Sequence, residues 1–189
     1  MLNDDDLGGP IATLWSELRP STRGLVERAL QEPTTAGTPS RNFHYDARAD
    51  LELSRFLAAL DAQEDNKLKS IADTCAAVLL EKTESAEVFT QLVRRAKLQR
   101  DYQRIDTLAD ALNSRFPASE ICELARSEDV VVRELANEAL ARCPTPVLTD
   151  LLNDPVDAET ARTALRRQIA EYGSEEARQI VSALDQEEY

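Results

Sequence analysis

The sequence is poor in the residues from which most catalytic and metal sites are built. It has one histidine, three cysteines and five glycines among 189 residues. A single histidine excludes the usual histidine-rich zinc sites and the paired Glu-x-x-His units of di-iron bundles. Neither a glycine-rich phosphate loop nor a Gly-x-Ser-x-Gly elbow occurs in the chain. The sequence therefore predicts no catalytic residues, no metal and no cofactor, and a protein that is not an enzyme.

Long apolar runs are also missing, and the first residues argue against export. The longest apolar run is far below the ~20 residues that a membrane span requires. The chain begins with acidic residues at Asp4–Asp6, whereas an export signal begins with positive charge. Three cysteines without close spacing fit a reducing compartment better than a disulfide framework. We expect a cytoplasmic protein with no membrane association.

Positive charge is scarce and unevenly distributed. The formal net charge is −13. Residues 1–65 carry 6 basic and 12 acidic side chains, residues 66–116 carry 9 and 7, and residues 117–189 carry 7 and 16. This field repels nucleic acid and anionic membranes. Nucleic acid is therefore not expected as a partner. Only residues 66–116 carry a net positive charge that would favour an acidic partner.

What the chain does have is apolar side chains at helical spacing. One-sided stripes recur from residue 46 onward, for example at 68–79, 105–112 and 132–140. Prolines and glycines fall between the stripes. The pattern predicts an all-α protein with an N-terminal extension at 1–45 and a helical-repeat domain at 46–189. The extension is predicted to hold one or two short helices, broken at Pro20, and a Pro/Gly/Ser/Thr-rich loop at 32–45.

Part of this pattern repeats. A shift of 27 residues places several residues of 101–126 on similar residues of 128–153, namely Leu108-Ala109 on Leu135-Ala136, Arg115 on Arg142, Pro117 on Pro144, Ile121 on Leu148 and Leu124 on Leu151. A third copy follows, in which Ala161 and Leu165 match Ala136 and Leu140 at an offset of 25. Because one helix pair cannot bury its apolar face alone, repetition predicts stacked pairs. An irregular helical bundle is the alternative.

Two segments resemble known repeat families. Residues 124–136, with an acidic residue, a Val-Arg pair and a following alanine, resemble HEAT-like repeats. Residues 143–154 are similar to the leucine-rich repeat variant. The resemblance implies a right-handed α-α superhelix whose surface binds other macromolecules. The third copy departs from the pattern, with Ala158-Glu159 in place of the Val-Arg pair, and the cysteine cluster of iron–sulfur variants is missing.

Isolated polar residues allow a functional and a structural interpretation. In a functional interpretation, His44 is a general base that Asp46 orients. In a structural interpretation, His44 is a loop residue and Asp46 caps the helix that follows. Cys75 and Cys122 lie on or beside apolar stripes, where packing is the simpler role. Cys143, at a predicted helix end, is the thiol whose reactivity we would test. Asp4–Asp6 lack the later glutamate of a calcium loop.

The best candidate site is a basic segment in this acidic chain. Five basic residues and one acidic residue fall within residues 94–104. The candidate partner-binding residues there are Arg94, Arg95, Lys97, Arg100, Tyr102 and Arg104. A second basic cluster contains Arg162, Arg166 and Arg167, which either line the same side as the first cluster or offset Glu159 and Glu171. The alternative is that these cations lie at a helix C-terminus and pair with neighbouring carboxylates.

Four functions compete on these observations. A non-catalytic scaffold or adaptor that binds a protein partner ranks first, because its surface needs no titratable cluster. An acidic inhibitor or immunity-type protein that occupies a basic site ranks second, given the acidic C-terminal third. A nucleic-acid-acting repeat protein and a bilin-lyase-like enzyme rank third and fourth. The oligomeric state is left open.

Overall fold

The described part of the chain is helical throughout. The structure is a computed structural model that describes residues 7–31, 45–63 and 65–187. Of residue 187 it describes the backbone alone. These residues contain no strand and form eleven helices. They are α1 Gly9–Glu17, α2 Pro20–Gln31, α3 Ala47–Asp61, α4 Asn66–Lys82, α5 Ala86–Gln99, α6 Tyr102–Arg115, α7 Ala118–Ala125, α8 Val130–Arg142, α9 Thr145–Leu151, α10 Ala158–Tyr172 and α11 Glu175–Glu187. The predicted all-α class is confirmed.

Aspartate side chains begin four of these helices. Asp46, Asp65, Asp101 and Asp129 each accept a backbone N–H from the first turn of the following helix, which supplies partners for N–H groups that lack them. The predicted capping role of Asp46 is therefore confirmed. His44, and most of the predicted loop at 32–45, lie outside the described residues.

Prolines and a glycine mark the other boundaries. Pro20 separates α1 from α2, but α2 begins at Pro20 itself and not after a cap at Ser21, because a proline ring suits the first helical turn. Gly173 ends α10 in the left-handed conformation with φ of 64°. Ser174 then accepts the N–H of Ala177 at 3.2 Å. Gly173 and Ser174 thus mark the boundary between α10 and α11.

The chain divides into two compact units, Met1–Leu92 and Val93–Tyr189. In the first unit α1 packs on α3, and α2 packs on α3 and α4. The ring centroids of Trp15 and Phe56 lie 5.3 Å apart in this core. The helices of the predicted extension thus share a core with the start of the predicted repeat domain.

An arginine fixes these N-terminal helices to α3. Arg19 donates to Asp46 at 2.7 Å and to Glu52 at 3.0 Å, and Thr22 donates to Glu52 at 2.6 Å. Burial raises the pKa of Glu52, but the hydrogen bonds from Thr22 and Arg19 outweigh burial and leave that pKa lowered. The carboxylate is therefore held in its charged form.

The second unit consists of helix pairs in two layers. The first helix of each pair contacts the first helix of the next, so α8 packs on both α6 and α10. The second helices do the same, with α9 between α7 and α11. Within the unit, each pair buries its apolar face against the next pair, as expected of stacked repeats. The right-handed twist of such a stack stays a prediction.

Burial confirms the predicted register in the second helices. Pro117 and Pro144 occupy the residue before α7 and α9, and Ile121 and Leu148, four residues further on, are 2% and 0% exposed. The offset is 27 residues in both comparisons. The sequence repeat therefore corresponds to a structural repeat at this part of each pair.

The first helices of the first two pairs require a correction of one residue. The capping residues Asp101 and Asp129 are 28 apart, and buried Leu108 corresponds to buried Ala136 rather than to Leu135. The reason is that α6 is 14 residues long and α8 is 13. The extra residue of α6 lies before Arg115, so the offset is again 27 from Arg115 to Arg142.

The offset of 25 in the third pair is confirmed by burial. Ala161 and Leu165 are both 0% exposed, and their counterparts Ala136 and Leu140 are 0% and 1% exposed. Gln168, further along α10, is 5% exposed and donates to the carbonyl of Cys143 at 2.6 Å. A polar contact thus joins α10 to the turn of the preceding pair.

Candidate functional site

The structure separates the six candidate residues of the basic segment into three groups. Lys97 and Arg104 form ion pairs, with Asp129 at 2.7 Å and Asp101 at 3.6 Å. Arg95 is only 7% exposed and donates to Gln99 at 3.2 Å. It is therefore a buried residue and not part of the exposed basic surface. The remaining group is exposed and consists of Arg94, Arg100 and Tyr102.

Two ion pairs each join the end of one helix to the beginning of a first-layer helix further along the stack. Lys97, four residues before the cap of α6, pairs with Asp129, the cap of α8. Arg126, at the end of α7, pairs at 2.7 Å with Asp157, the residue before α10. The hydrogen bond from Lys97 lowers the pKa of Asp129. We call these two pairs the ladder.

The ladder places the starts of α6, α8 and α10 side by side along one edge of the second unit. Each start carries an exposed apolar side chain, since Tyr102, Val130 and Val156 are 72%, 59% and 67% exposed. Leu98, 87% exposed, lies four residues before Tyr102. We call these four side chains the N-terminal edge. They are four of the seven large hydrophobic side chains that are exposed among the described residues.

The turn between α5 and α6 has an unusual backbone. The N–H of Asp101 donates to the carbonyl of Ala96 at 2.9 Å, which closes α5 with a Schellman motif. That motif places Arg100 in the left-handed region with φ of 56°. Glycine is the usual residue there, because a side chain costs about 1 kcal/mol or more in this conformation. The turn therefore keeps an arginine where glycine would fit better.

Charge changes sign along the N-terminal edge. Arg94 and Arg100 lie exposed beside Leu98 and Tyr102, at the end formed by α5 and α6. Asp154 and Glu159 lie exposed on either side of Val156, at the end formed by α10. The edge thus presents a basic end and an acidic end, and a bound partner would be oriented by this difference.

The second basic cluster does not meet the first. Arg166 points to α11, where it donates to Asp185 at 3.4 Å, and Arg162 is half-buried on α10. In the first layer, α8 lies between α10 and α6. Arg162 and Arg166 are therefore separated from the basic end of the N-terminal edge.

A charged network on the first layer was not found from the sequence. Arg142 on α8 pairs with Glu138 and donates to the hydroxyl of Tyr172 on α10, which raises the pKa of Arg142. Arg167 on α10 lies 2.6 Å from Glu171 and 4.0 Å from Glu134 on α8. The two cross-helix contacts join residues 30 and 33 positions apart, so only the stack brings them together, whereas the sequence already offered Glu171 as a partner on the same helix for Arg167.

A buried carboxyl in the first unit was also missed. Asp50, in the first turn of α3, is 8% exposed. It accepts a hydrogen bond from Tyr45, and burial raises its pKa against the opposing effect of hydrogen bonds from Tyr45 and Thr83. Since Thr83 lies between α4 and α5, this contact joins the start of α3 to that turn.

The thiols match the packing interpretation. Cys75 and Cys122 are 0% exposed and Cys143 is half-buried. Burial raises the pKa of Cys122 to about 12 and also raises that of Cys143. Both thiols are therefore protonated near neutral pH, which makes them weak nucleophiles.

In the part of the chain that the structure describes, no three His, Cys, Asp or Glu side chains are grouped so as to hold a metal ion. A shallow depression along α11 is lined by six side chains of that helix alone, five of them polar and the sixth that of Ala183. Among the helices described, none is both long and apolar enough to cross a bilayer.

Comparison with known proteins adds no relative. The chain matches no protein-family model, no curated protein and no solved structure. The features of the chain that bear on its function are therefore the N-terminal edge, the ladder and the distribution of charge.

Proposed function

We propose that the chain is a non-catalytic protein-binding module, a scaffold or adaptor of the HEAT-like helical-repeat kind, and that it binds its partner through the N-terminal edge. The observation that carries the proposal is the concentration of exposed apolar side chains there. Tyr102, Val130 and Val156 lie at three consecutive helix starts. Contiguous exposed apolar surface with a polar rim marks interaction sites in monomeric proteins.

The edge has the composition of an interface. Tyrosine and arginine are enriched in the side chains that dominate binding energy, and Tyr102, Arg94 and Arg100 are exposed at one end. The ladder holds the helix starts in fixed relative positions. Binding to such a preorganised surface loses little conformational entropy.

The proposal includes a cytoplasmic location and a protein rather than a nucleic-acid partner. Free cysteines are usual in reducing compartments. A net charge of −13 opposes association with phosphate backbones. Salt-dependent binding of duplex DNA at sub-micromolar affinity would contradict this part.

An acidic inhibitor that occupies a basic site is the second candidate. It is favoured by the excess of 16 acidic over 7 basic residues in 117–189. Ion pairs already engage part of that excess, because Glu138 pairs with Arg142 and Glu134 lies 4.0 Å from Arg167. The N-terminal edge therefore remains the better-supported site.

Site-specific photo-cross-linking in the cells that naturally make the chain tests the proposal. A photoreactive phenylalanine analogue replaces Tyr102, or in a matched control Tyr172, which is also exposed at 56% but lies at the end of α10. We expect a discrete cross-linked product from position 102, absent from position 172. Equal products at both positions, or a product at 172 alone, would exclude the N-terminal edge as the binding surface.

A further inference from the structure

The basic end of the N-terminal edge combines exposed apolar and cationic side chains. Arg94 and Leu98 are four residues apart on α5 and so lie on the same face of that helix. Arg100 and Tyr102 follow across the turn, and all four side chains are exposed. Leu98 and Tyr102 are 87% and 72% exposed, the two highest fractions among the large hydrophobic side chains described.

Arg94 and Arg100 differ from the other cations around them. Lys97 and Arg104 are paired with aspartates, whereas neither Arg94 nor Arg100 forms an ion pair with any residue that the structure describes. The chain has 35 acidic side chains for 22 basic ones. Carboxylates are thus abundant, yet these two guanidinium groups point to solvent beside apolar surface.

Phosphate-bearing partners fit this surface poorly. Nucleic-acid binding is driven by many neutralised phosphates, and only two unpaired arginines occur here, in a chain of net charge −13. A carboxylate instead matches one guanidinium by two parallel hydrogen bonds. An apolar side chain next to that carboxylate would cover Leu98 or Tyr102.

We propose that the partner docks at this end through an acidic segment in which Asp or Glu alternates with aliphatic or aromatic residues. This inference rests on the proposed function and names the chemistry of the partner. The segment's carboxylates bind Arg94 and Arg100, and its apolar side chains bind Leu98 and Tyr102. Asp154 and Glu159 at the far end repel a long acidic segment and so confine it to the α5–α6 turn.

Selection from a random dodecapeptide library displayed on phage tests the inference. The full-length chain is the bait. Phage that also bind the Leu98→Ser/Tyr102→Ser variant are removed from the selected pool. Peptides that survive are synthesised, and their affinities are measured by fluorescence anisotropy. Each affinity is measured for the wild-type chain and for Arg94→Glu/Arg100→Glu. The control is Arg166→Glu on α10, which makes the same charge reversal at a site away from the N-terminal edge. Circular dichroism checks that each variant keeps its helix content.

We expect the selected peptides to be rich in Asp and Glu next to Leu, Phe or Trp. Their affinity should fall about tenfold or more on Arg94→Glu/Arg100→Glu, a change of about 1.4 kcal/mol, and stay within about twofold on Arg166→Glu. A dodecamer of single-stranded DNA should not compete.

Other outcomes overturn the inference in distinguishable ways. Selected peptides that are neutral or basic and insensitive to Arg94→Glu/Arg100→Glu would refute the acidic segment, yet leave the N-terminal edge as a binding surface. Competition by the oligonucleotide would assign the arginines to phosphate. A library that yields no edge-dependent peptide also refutes the acidic segment, and cross-linking at position 102 then decides the proposed function separately.

Discussion

The Lys97–Asp129 rung of the ladder is the most direct place to perturb the stack. Asp129 has two roles, since it accepts the N–H groups of Val131 at 3.0 Å and Val132 at 3.4 Å and also pairs with Lys97 at 2.7 Å. Asp129→Ala removes both roles. Asp129→Asn keeps a capping oxygen and removes only the charge, and Lys97→Met removes only the ion pair.

The expected magnitudes follow from these contacts. Loss of a capping side chain costs about 1 kcal/mol, and loss of an exposed ion pair costs about 0.2–1 kcal/mol. Because the Asp129 side chain is 12% exposed and Lys97 38%, the upper half of that range applies. Asp129→Ala should therefore lower stability by about 1.5–2 kcal/mol, and Asp129→Asn and Lys97→Met by about 0.5–1 kcal/mol.

Urea unfolding followed by circular dichroism, with a double-mutant cycle, measures these differences. The cycle should give a Lys97–Asp129 coupling of about 0.5–1 kcal/mol. In about 1 M salt the coupling should shrink, while the difference between Asp129→Ala and Asp129→Asn, which comes from the cap, should persist. Equal destabilisation by Ala and Asn would refute the capping role. Zero coupling at low salt would refute the ion pair and its part in aligning the helix starts.

Three further results are expected. Arg100→Gly should raise stability by about 0.5 kcal/mol in urea unfolding, because relief of the left-handed strain exceeds the added freedom of the unfolded chain; a loss of stability would contradict the strain. Asp50→Asn should raise the melting temperature at pH 7. Because folding raises the pKa of Asp50, its ionisation begins to weaken the fold as the pH rises past the unfolded-state pKa of about 3.9. The gain should therefore vanish by about pH 4, and a gain that grew on acidification would have the wrong sign. Native Cys122 should react with a disulfide reagent more slowly than Cys143, as judged with Cys143→Ser, since it is 0% exposed; equal rates would contradict that burial.

Local features of the fold were predictable from the sequence. Apolar spacing predicts the helices, and prolines before α7 and α9 predict their starts. The buried state of Arg95 had a signal that was overlooked. It lies three residues after Leu92 and four before Gln99, on the face that also carries buried Phe89 and Ala96. A helical projection would have separated it from exposed Arg94.

The arrangement of the site was not predictable in the same way. Lys97 and Asp129 are 32 residues apart, and Arg126 and Asp157 are 31 apart. Neither pairing follows from periodicity, because a shift of one residue along a helix turns a side chain by about 100°. The one-residue difference in length between α6 and α8 is such a shift. Only the packed pairs determine which cation meets which cap.

The exposed apolar row shows the same limit. Tyr102, Val130 and Val156 follow one another at spacings of 28 and 26 residues, which a repeat search could align. Their exposure depends on how the helix starts meet in the stack, and apolar residues are common on both buried and exposed surfaces. Sequence alone therefore pointed to the basic segment and missed its continuation along the edge.

Hydrogen exchange of the chain with and without its cross-linked partner tests the central claim most directly. The first N–H groups of a helix have no backbone carbonyl partner within that helix, so a protein that covers the helix starts adds protection there that the helices alone do not supply. The account predicts that the partner slows exchange at the starts of α6, α8 and α10 and leaves α11 unchanged. Protection confined to α11, or to the Arg142–Tyr172 surface of α8 and α10, would contradict it.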